Sequence, residues 1–266
     1  MNRPIGIIGC GNMGSALVRG MIDSHFRPAS DLIIWDIDQE KRKQLVKSGV
    51  CEAESSQDLV SRTTTVLLAV KPQQMNDVLS DIRPHLKEQS LIISIAAGIQ
   101  IGWIKKRLNE TVKVIRAMPN TPAVLCKGIS AIAGDSSVGD IEFNHAELLF
   151  RSVGGVVRVP EEWMDAVTAI SGSGPAYFFY LMQRMIEVGV ELGLSDEVAR
   201  KLVLSTAIGA GAMIGQAGDP GNLRKQVTSK GGTTEAAFQV FEKEGLDEIL
   251  AKGIRAAARR AKEMSA

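Results

Sequence analysis

The 266-residue chain has few cysteines, histidines and aromatics, and no surplus of either charge. Its three cysteines, Cys10, Cys51 and Cys126, are too scattered for a CxxC pair, and an odd total fits no intrachain disulfide framework. They read as reduced core or loop thiols. The three histidines, His25, His85 and His145, form no HxH or HExxH pair, so neither a metal site nor a histidine base is expected. With 31 Lys and Arg against 30 Asp and Glu, the formal charge is +1, which gives no field for collecting nucleic acid or a membrane surface. A small-molecule partner is expected instead. Apolar strand begins at Ile5, leaving no room for a signal peptide, and no apolar run approaches the roughly 18 residues of a transmembrane helix. These absences predict a cytoplasmic protein without a membrane partner.

What is present begins at Ile5–Gly14, IGIIGCGNMG, where an apolar strand runs into Gly9, Cys10, Gly11, Asn12, Met13 and Gly14, and SALVRGMI follows as a helix. Strand, GxGxxG and helix stand in the order that a dinucleotide seat requires. Gly9 allows the tight turn, Gly11 lets the backbone approach a pyrophosphate, and Gly14 lets helix and strand pack closely. The next strand, LIIWD, ends on Asp36, 22 residues beyond Gly14, where such a fold places the carboxylate that binds the adenine ribose. A carboxylate there repels a 2′-phosphate, so the reading leans to NADH within an NAD(P)H class. The run Lys41, Arg42, Lys43 could meet a phosphate or could be the solvated face of a helix.

The alternation continues through a polar helix, a serine-rich loop and the strand TVLLAV, which Pro72 stops. Ala69, Val70, Lys71 and Pro72 thus form a strand-end loop on the ligand edge. Ala97 and Gly98 lie at another strand end, where a nicotinamide ring needs close approach. Asn120, between two prolines, could bond a carboxamide or cap its own turn. This rhythm predicts an α/β fold with a doubly wound, mainly parallel sheet. From Glu161 helix follows helix, so the expected domains are residues 1–160 and 161–266. In the second, the small apolar stretch AIGAGAMIG suits either a subunit contact or an intrachain core. Thr228 to Thr234 run into the helix EAAFQVFE, offering hydroxyls and free N–H groups that suit a small carboxylate or simply cap the helix.

The ordered set IGCGNMG, LLAVKPQ, ISIAAG, VIRAMPNTP, ISGSGPAYFFY and QVTSKGGTTEAA resembles the pyrroline-5-carboxylate reductase family over nearly the whole chain. That resemblance implies a Rossmann-like N-terminal domain for NAD(P)H and a C-terminal all-helical domain that forms a homodimer, with larger rings in some members. It also implies proline biosynthesis by hydride transfer to the C=N carbon of 1-pyrroline-5-carboxylate. By the same resemblance, Ser229, Gly231, Gly232, Thr233 and Thr234 hold the substrate carboxylate, and Thr234 bonds the ring nitrogen as the catalytic orienter. Glu161 lies near the substrate, Gln226 near the nicotinamide and Ser56 near the adenosine. Three positions depart from the family pattern: Lys230 replaces a usual proline, Asp36 replaces a phosphate-compatible residue, and Ser56 replaces an asparagine. Two rival readings are a β-hydroxyacid dehydrogenase-like reductase and a non-catalytic NAD-sensing protein. The first would need a lysine in Tyr177–Gln183, which has none; the second would not need the loop Ser229–Thr234.

Overall fold

The computed structural model describes residues 4–264. Its first compact unit holds the residues up to Ser173 together with the stretch from Ala257 onward. The chain alternates β1 (Ile5–Ile8), α1 (Asn12–Asp23), β2 (Leu32–Trp35), α2 (Gln39–Val46), β3 (Cys51–Glu52), α3 (Ser56–Arg62), β4 (Thr65–Leu68), α4 (Met75–Ile82), β5 (Leu91–Ser94), α5 (Ile101–Arg107) and β6 (Lys113–Met118). Then come β7 (Gly128–Gly134), α6 (Asp140–Arg151) and β8 (Gly154–Arg158). The strands form one sheet in the order β3-β2-β1-β4-β5-β6-β7-β8, parallel except between β6 and β7. Chain order reverses where β1 meets β2 on one side and β4 on the other. A doubly wound sheet opens a crevice for ligand beyond the strand ends at that reversal.

Side-chain alternation divides the core between the two sheet faces. Ile5, Ile7 and Leu67 join Leu17 and Met21 of α1 and Phe150 of α6 on one face. Ile8, Val66 and Leu68 join Leu59 of α3, Leu79 of α4 and Ile104 of α5 on the other. Each fully buried side chain of this size contributes about 1.5–3 kcal/mol. Continuous apolar strands are what a sheet covered on both faces demands.

The serine-rich segment, expected to be a loop, is the helix α3. Ser55 Oγ accepts the Asp58 N–H at 3.1 Å while Asp58 accepts the Glu54 N–H at 3.2 Å, so two side chains cap the helix start reciprocally. After β8 the chain turns through α7 (Met164–Val167) and one wide helical turn at Thr168–Gly172.

The second unit, Gly174 to Ala256, is helical. It contains α8 (Gly174–Glu191), α9 (Asp196–Ala217), α10 (Pro220–Gln226), α11 (Thr233–Lys243) and the first part of α12 (Leu246–Met264). Ser195 Oγ caps α9 through the Val198 N–H, and Asp219 caps α10 through the Gly221 N–H. Helices α8 and α9 pack where Gly189 faces Ala199; a Cβ on Gly189 would lie 3.1 Å from the Ala199 methyl. One expectation needs correction: Asp196–Gln216 is long and apolar enough to span a membrane by length and composition, with a mean hydropathy of 1.3. Its serine, threonine and glycines interrupt the apolar run without lowering the average enough to matter.

Candidate active site

The three loop glycines occupy three different environments. Gly9 has φ +105°, and a Cβ there would lie 2.5 Å from the Ala69 carbonyl oxygen. On Gly14 a Cβ would lie 2.1 Å from the Gly9 carbonyl oxygen, whereas on Gly11 it would meet nothing within 4 Å. Tight turn, close packing and an open face are therefore separately assigned. Helix α1 has no acidic residue in its first turn, so its free N–H groups and positive end stay available to an anion. These residues fit a nucleotide pyrophosphate. Cys10, within this turn, is buried, and burial followed by the nearby Asp36 carboxylate pushes its thiol up to about 12. It stays neutral near pH 7.

Asp36 lies just beyond β2. Its Oδ2 accepts the Cys10 N–H at 2.6 Å and its Oδ1 accepts the Asp38 N–H at 2.8 Å, which aims the carboxylate across the glycine turn. Beside it Ile37 is 76% exposed, an apolar surface suited to an adenine face and not singled out from the sequence. The basic run proves to be paired: Lys41 with Asp38 at 3.3 Å, Lys43 with Glu40 at 2.9 Å, and Arg42 with Glu52 at 2.7 Å. Arg42 also donates to the Asp36 carbonyl.

Ser56 is buried in the first turn of α3, its hydroxyl 3.3 Å from Gln57 Oε1. Ala69 and Val70 are half-buried at the end of β4, Lys71 is exposed, and Pro72 opens a short turn. The turn after β5 carries Ala97 and Gly98; Gly98 has φ +77°, and a Cβ on it would lie 2.7 Å from the Met264 carbonyl oxygen. Asn120 Oδ1 accepts the Ile129 N–H at 2.9 Å and its Nδ2 lies 3.4 Å from Ser171 Oγ, so its amide staples its own loop. Gly9–Gly14, Asp36, Ala69–Pro72, Ala97–Gly98 and Asn120 all follow the ends of β1, β2, β4, β5 and β6, along one edge of the sheet.

Glu161 belongs to the first unit. Its Oε1 accepts the Ile101 N–H at 2.8 Å, capping α5, and lies 3.5 Å from the guanidinium of buried Arg116. Asp165 completes the set around that arginine at 3.9 Å. A buried cation requires such partners, so this carboxylate already has a structural task. The sequence pattern did not reveal Arg116.

In the second unit Gly231 takes φ +73° and donates its N–H to Glu235 at 2.7 Å, while Gly232 donates to the Ser229 carbonyl at 3.0 Å. Thr228 Oγ1 donates to the Arg224 carbonyl at 2.7 Å. These bonds hold the turn that contains Lys230. Thr233 and Thr234 open α11, and among the described residues their hydroxyls have no hydrogen-bond partner. Two hydroxyls and the first-turn N–H groups of a helix suit a carboxylate. Glu235 in the same turn already accepts the Gly231 N–H, so Gly231 does not offer its N–H to a substrate as expected. Exposed Gln226 ends α10. Among the described residues, no group of three or more His, Cys, Asp and Glu side chains is placed to hold a metal.

The family model for pyrroline-5-carboxylate reductase dimerisation matches residues 161–264, and that for NADP oxidoreductase, coenzyme F420-dependent, matches residues 4–98. Pyrroline-5-carboxylate reductase of Pseudomonas aeruginosa is 39% identical over 264 residues, covering 98% of this chain and 96% of the relative. The solved pyrroline-5-carboxylate reductase of Coxiella burnetii superposes with a TM-score of 0.93 at 34% identity over 100% of both chains. A Plasmodium falciparum pyrroline carboxylate reductase, solved with NADP bound, has a TM-score of 0.89 at 29% identity, covering 100% of this chain and 99% of its own.

Proposed function

This chain belongs to the pyrroline-5-carboxylate reductase family, and from that membership we infer how its residues reduce the C=N bond of 1-pyrroline-5-carboxylate to L-proline. The observation that carries the reading is the pair of threonine hydroxyls at the start of α11, Thr233 and Thr234, in the same chain as a dinucleotide turn. A reduced nicotinamide cofactor, when bound, supplies the hydride. The turn Gly9–Gly14 would seat its pyrophosphate, Asp36 its ribose, and the strand-end residues Ala69–Pro72, Ala97 and Gly98 its nicotinamide half, with Gln226 as a further contact. Ser56, expected near the adenosine, is too buried to meet it. First-turn N–H groups of α11 and the hydroxyls of Ser229 and Thr233 hold the substrate carboxylate, and Thr234 orients the ring nitrogen.

An iminium substrate already carries its electrophilic activation and its nitrogen-bound proton, so hydride addition gives the amine directly and no buried acid is required of the protein. Thr234 acts in this step by orienting the N–H. Rate enhancement then rests on orientation, for which effective molarities of ~10⁵ M or more are attainable. We place the functional division at residues 1–160 and 161–266, with the second part forming a homodimer that can build a larger ring in the cytoplasm. Glu161 acts by fixing the edge of α5. The Asp36 geometry supports a preference for NADH, although the Plasmodium relative was solved with NADP.

Initial-rate oxidation of NADH and NADPH with racemic 1-pyrroline-5-carboxylate tests the reading. Turnover that prefers NADH supports both reaction and cofactor, and turnover that prefers NADPH removes the Asp36 argument alone. Thr234→Ala is expected to lower kcat by about a hundredfold, in the range of one lost proton-transfer or orienting group, without changing the melting temperature. A variant with normal kinetics removes Thr234 from the mechanism.

A further inference from the structure

We propose that Glu52 is a specificity-determining residue for the cofactor, because it holds Arg42 away from the position that a 2′-phosphate would occupy. The inference rests on the NADH reading of Asp36. Strand pairing sets the geometry: Ile34 of β2 stands opposite Glu52 of β3, which brings the glutamate beside the strand end that carries Asp36. Arg42 reaches the same place from α2. Its Nε donates to Glu52 Oε1 at 2.7 Å and its Nη1 donates to the Asp36 carbonyl, so the guanidinium is held at two points.

The neighbouring cations are held differently. Lys41 and Lys43 pair with acids of their own helix on open surface, and exposed pairs of that kind are worth little and release readily. The Arg42 side chain is only 19% exposed and is bound across two elements. It is also the group whose planar fork matches a phosphate, a geometry that an ammonium lacks. Asp36 therefore repels a 2′-phosphate while Glu52 withholds the cation that would offset the repulsion. The same contact secures the peptide of Asp36, so one glutamate acts on both sides of the discrimination.

The test compares the wild-type chain with Glu52→Gln, which keeps an acceptor and removes the charge. Binding of adenosine 2′,5′-bisphosphate and adenosine 5′-monophosphate is measured by titration calorimetry without cofactor, alongside kcat and KM for NADH and NADPH. The expected result is about tenfold tighter bisphosphate binding, equal to one charge-assisted contact, with monophosphate binding unchanged. The NADPH KM should fall by a similar factor with kcat unchanged. Adding Arg42→Gln to Glu52→Gln should abolish the gain. An unchanged bisphosphate affinity in Glu52→Gln, or a gain that survives in the double variant, overturns the proposal. Should Glu52→Gln fail to fold, Arg42→Gln alone decides: unchanged bisphosphate affinity supports a withheld arginine, and a loss shows that Arg42 already meets the phosphate. A wild-type preference for NADPH defeats the Asp36 reading and this inference with it. Absence of any turnover defeats the reaction only, and calorimetry still decides the role of Glu52.

Discussion

The first unit closes its core within one chain, whereas the second leaves its apolar side chains open. Ile5, Ile7 and Leu67 of the sheet and Phe150 of α6 are fully buried in one core within the same unit. Among the described residues of the second unit, Ala199 is the one buried side chain, while Phe178 is 67% exposed and Ile208 75% exposed. Large exposed apolar surfaces mark interaction sites. The family model that matches this region is one of dimerisation, which points to a second copy of the chain as the covering element. The contrast also explains the composition of α9. It is apolar enough to resemble a membrane span, and its exposed apolar side chains are those of a helix left uncovered within one chain.

This contrast can be broken by experiment. Phe150→Ala should destabilise the sheet unit by about 3–5 kcal/mol in urea unfolding, the scale of a large cavity in a closed core. A cost no larger than that of a surface change would mean that the core is not closed. Ile208→Asp should raise the dimer dissociation constant at least a hundredfold, about 3 kcal/mol, with little loss of helical signal. Ultracentrifugation giving an unchanged dimer would place the interface elsewhere. Glu161→Gln should lower stability by about 1–3 kcal/mol, because Arg116 then lacks its nearest counter-charge, while the substrate KM stays unchanged. A large KM increase at constant stability would return Glu161 to the substrate.

The smallest expected effect concerns pH. His145 lies 3.3 Å from Thr65 Oγ1 and beside the Phe26 ring, and burial followed by the Arg27 charge lowers its pKa below the ordinary 6.5. The folded chain resists a proton that the unfolded chain accepts. Stability from this site is complete above pH 6.5 and is lost as pH falls toward the folded-state value. His145→Gln should flatten that part of a melting-temperature profile, and an unaltered slope would assign it to other groups.

Local features were legible and relayed contacts were not. The glycine turn, Asp36 and the start of α11 could be read because spacing along the chain alone determines them. Helix α3 was hidden because serines that promote loops also cap helices. The roles of Asn120 and Glu161 depend on partners 51 and 60 residues away. No local pattern specifies those pairings. Arg42 looked like one of three equivalent basic residues until β3, two residues long, placed Glu52 against it.

Gly11 has one more consequence. Its backbone, at φ −70° and ψ −173°, is open to any residue, and among the described residues nothing crowds the missing side chain. Alanine there would restrict the unfolded ensemble and favour the native state by about 0.4–1 kcal/mol. The chain forgoes that entropic gain at a site where folding makes no demand for glycine. Glycine at this position is what close approach of a pyrophosphate to the backbone, as proposed above, would require.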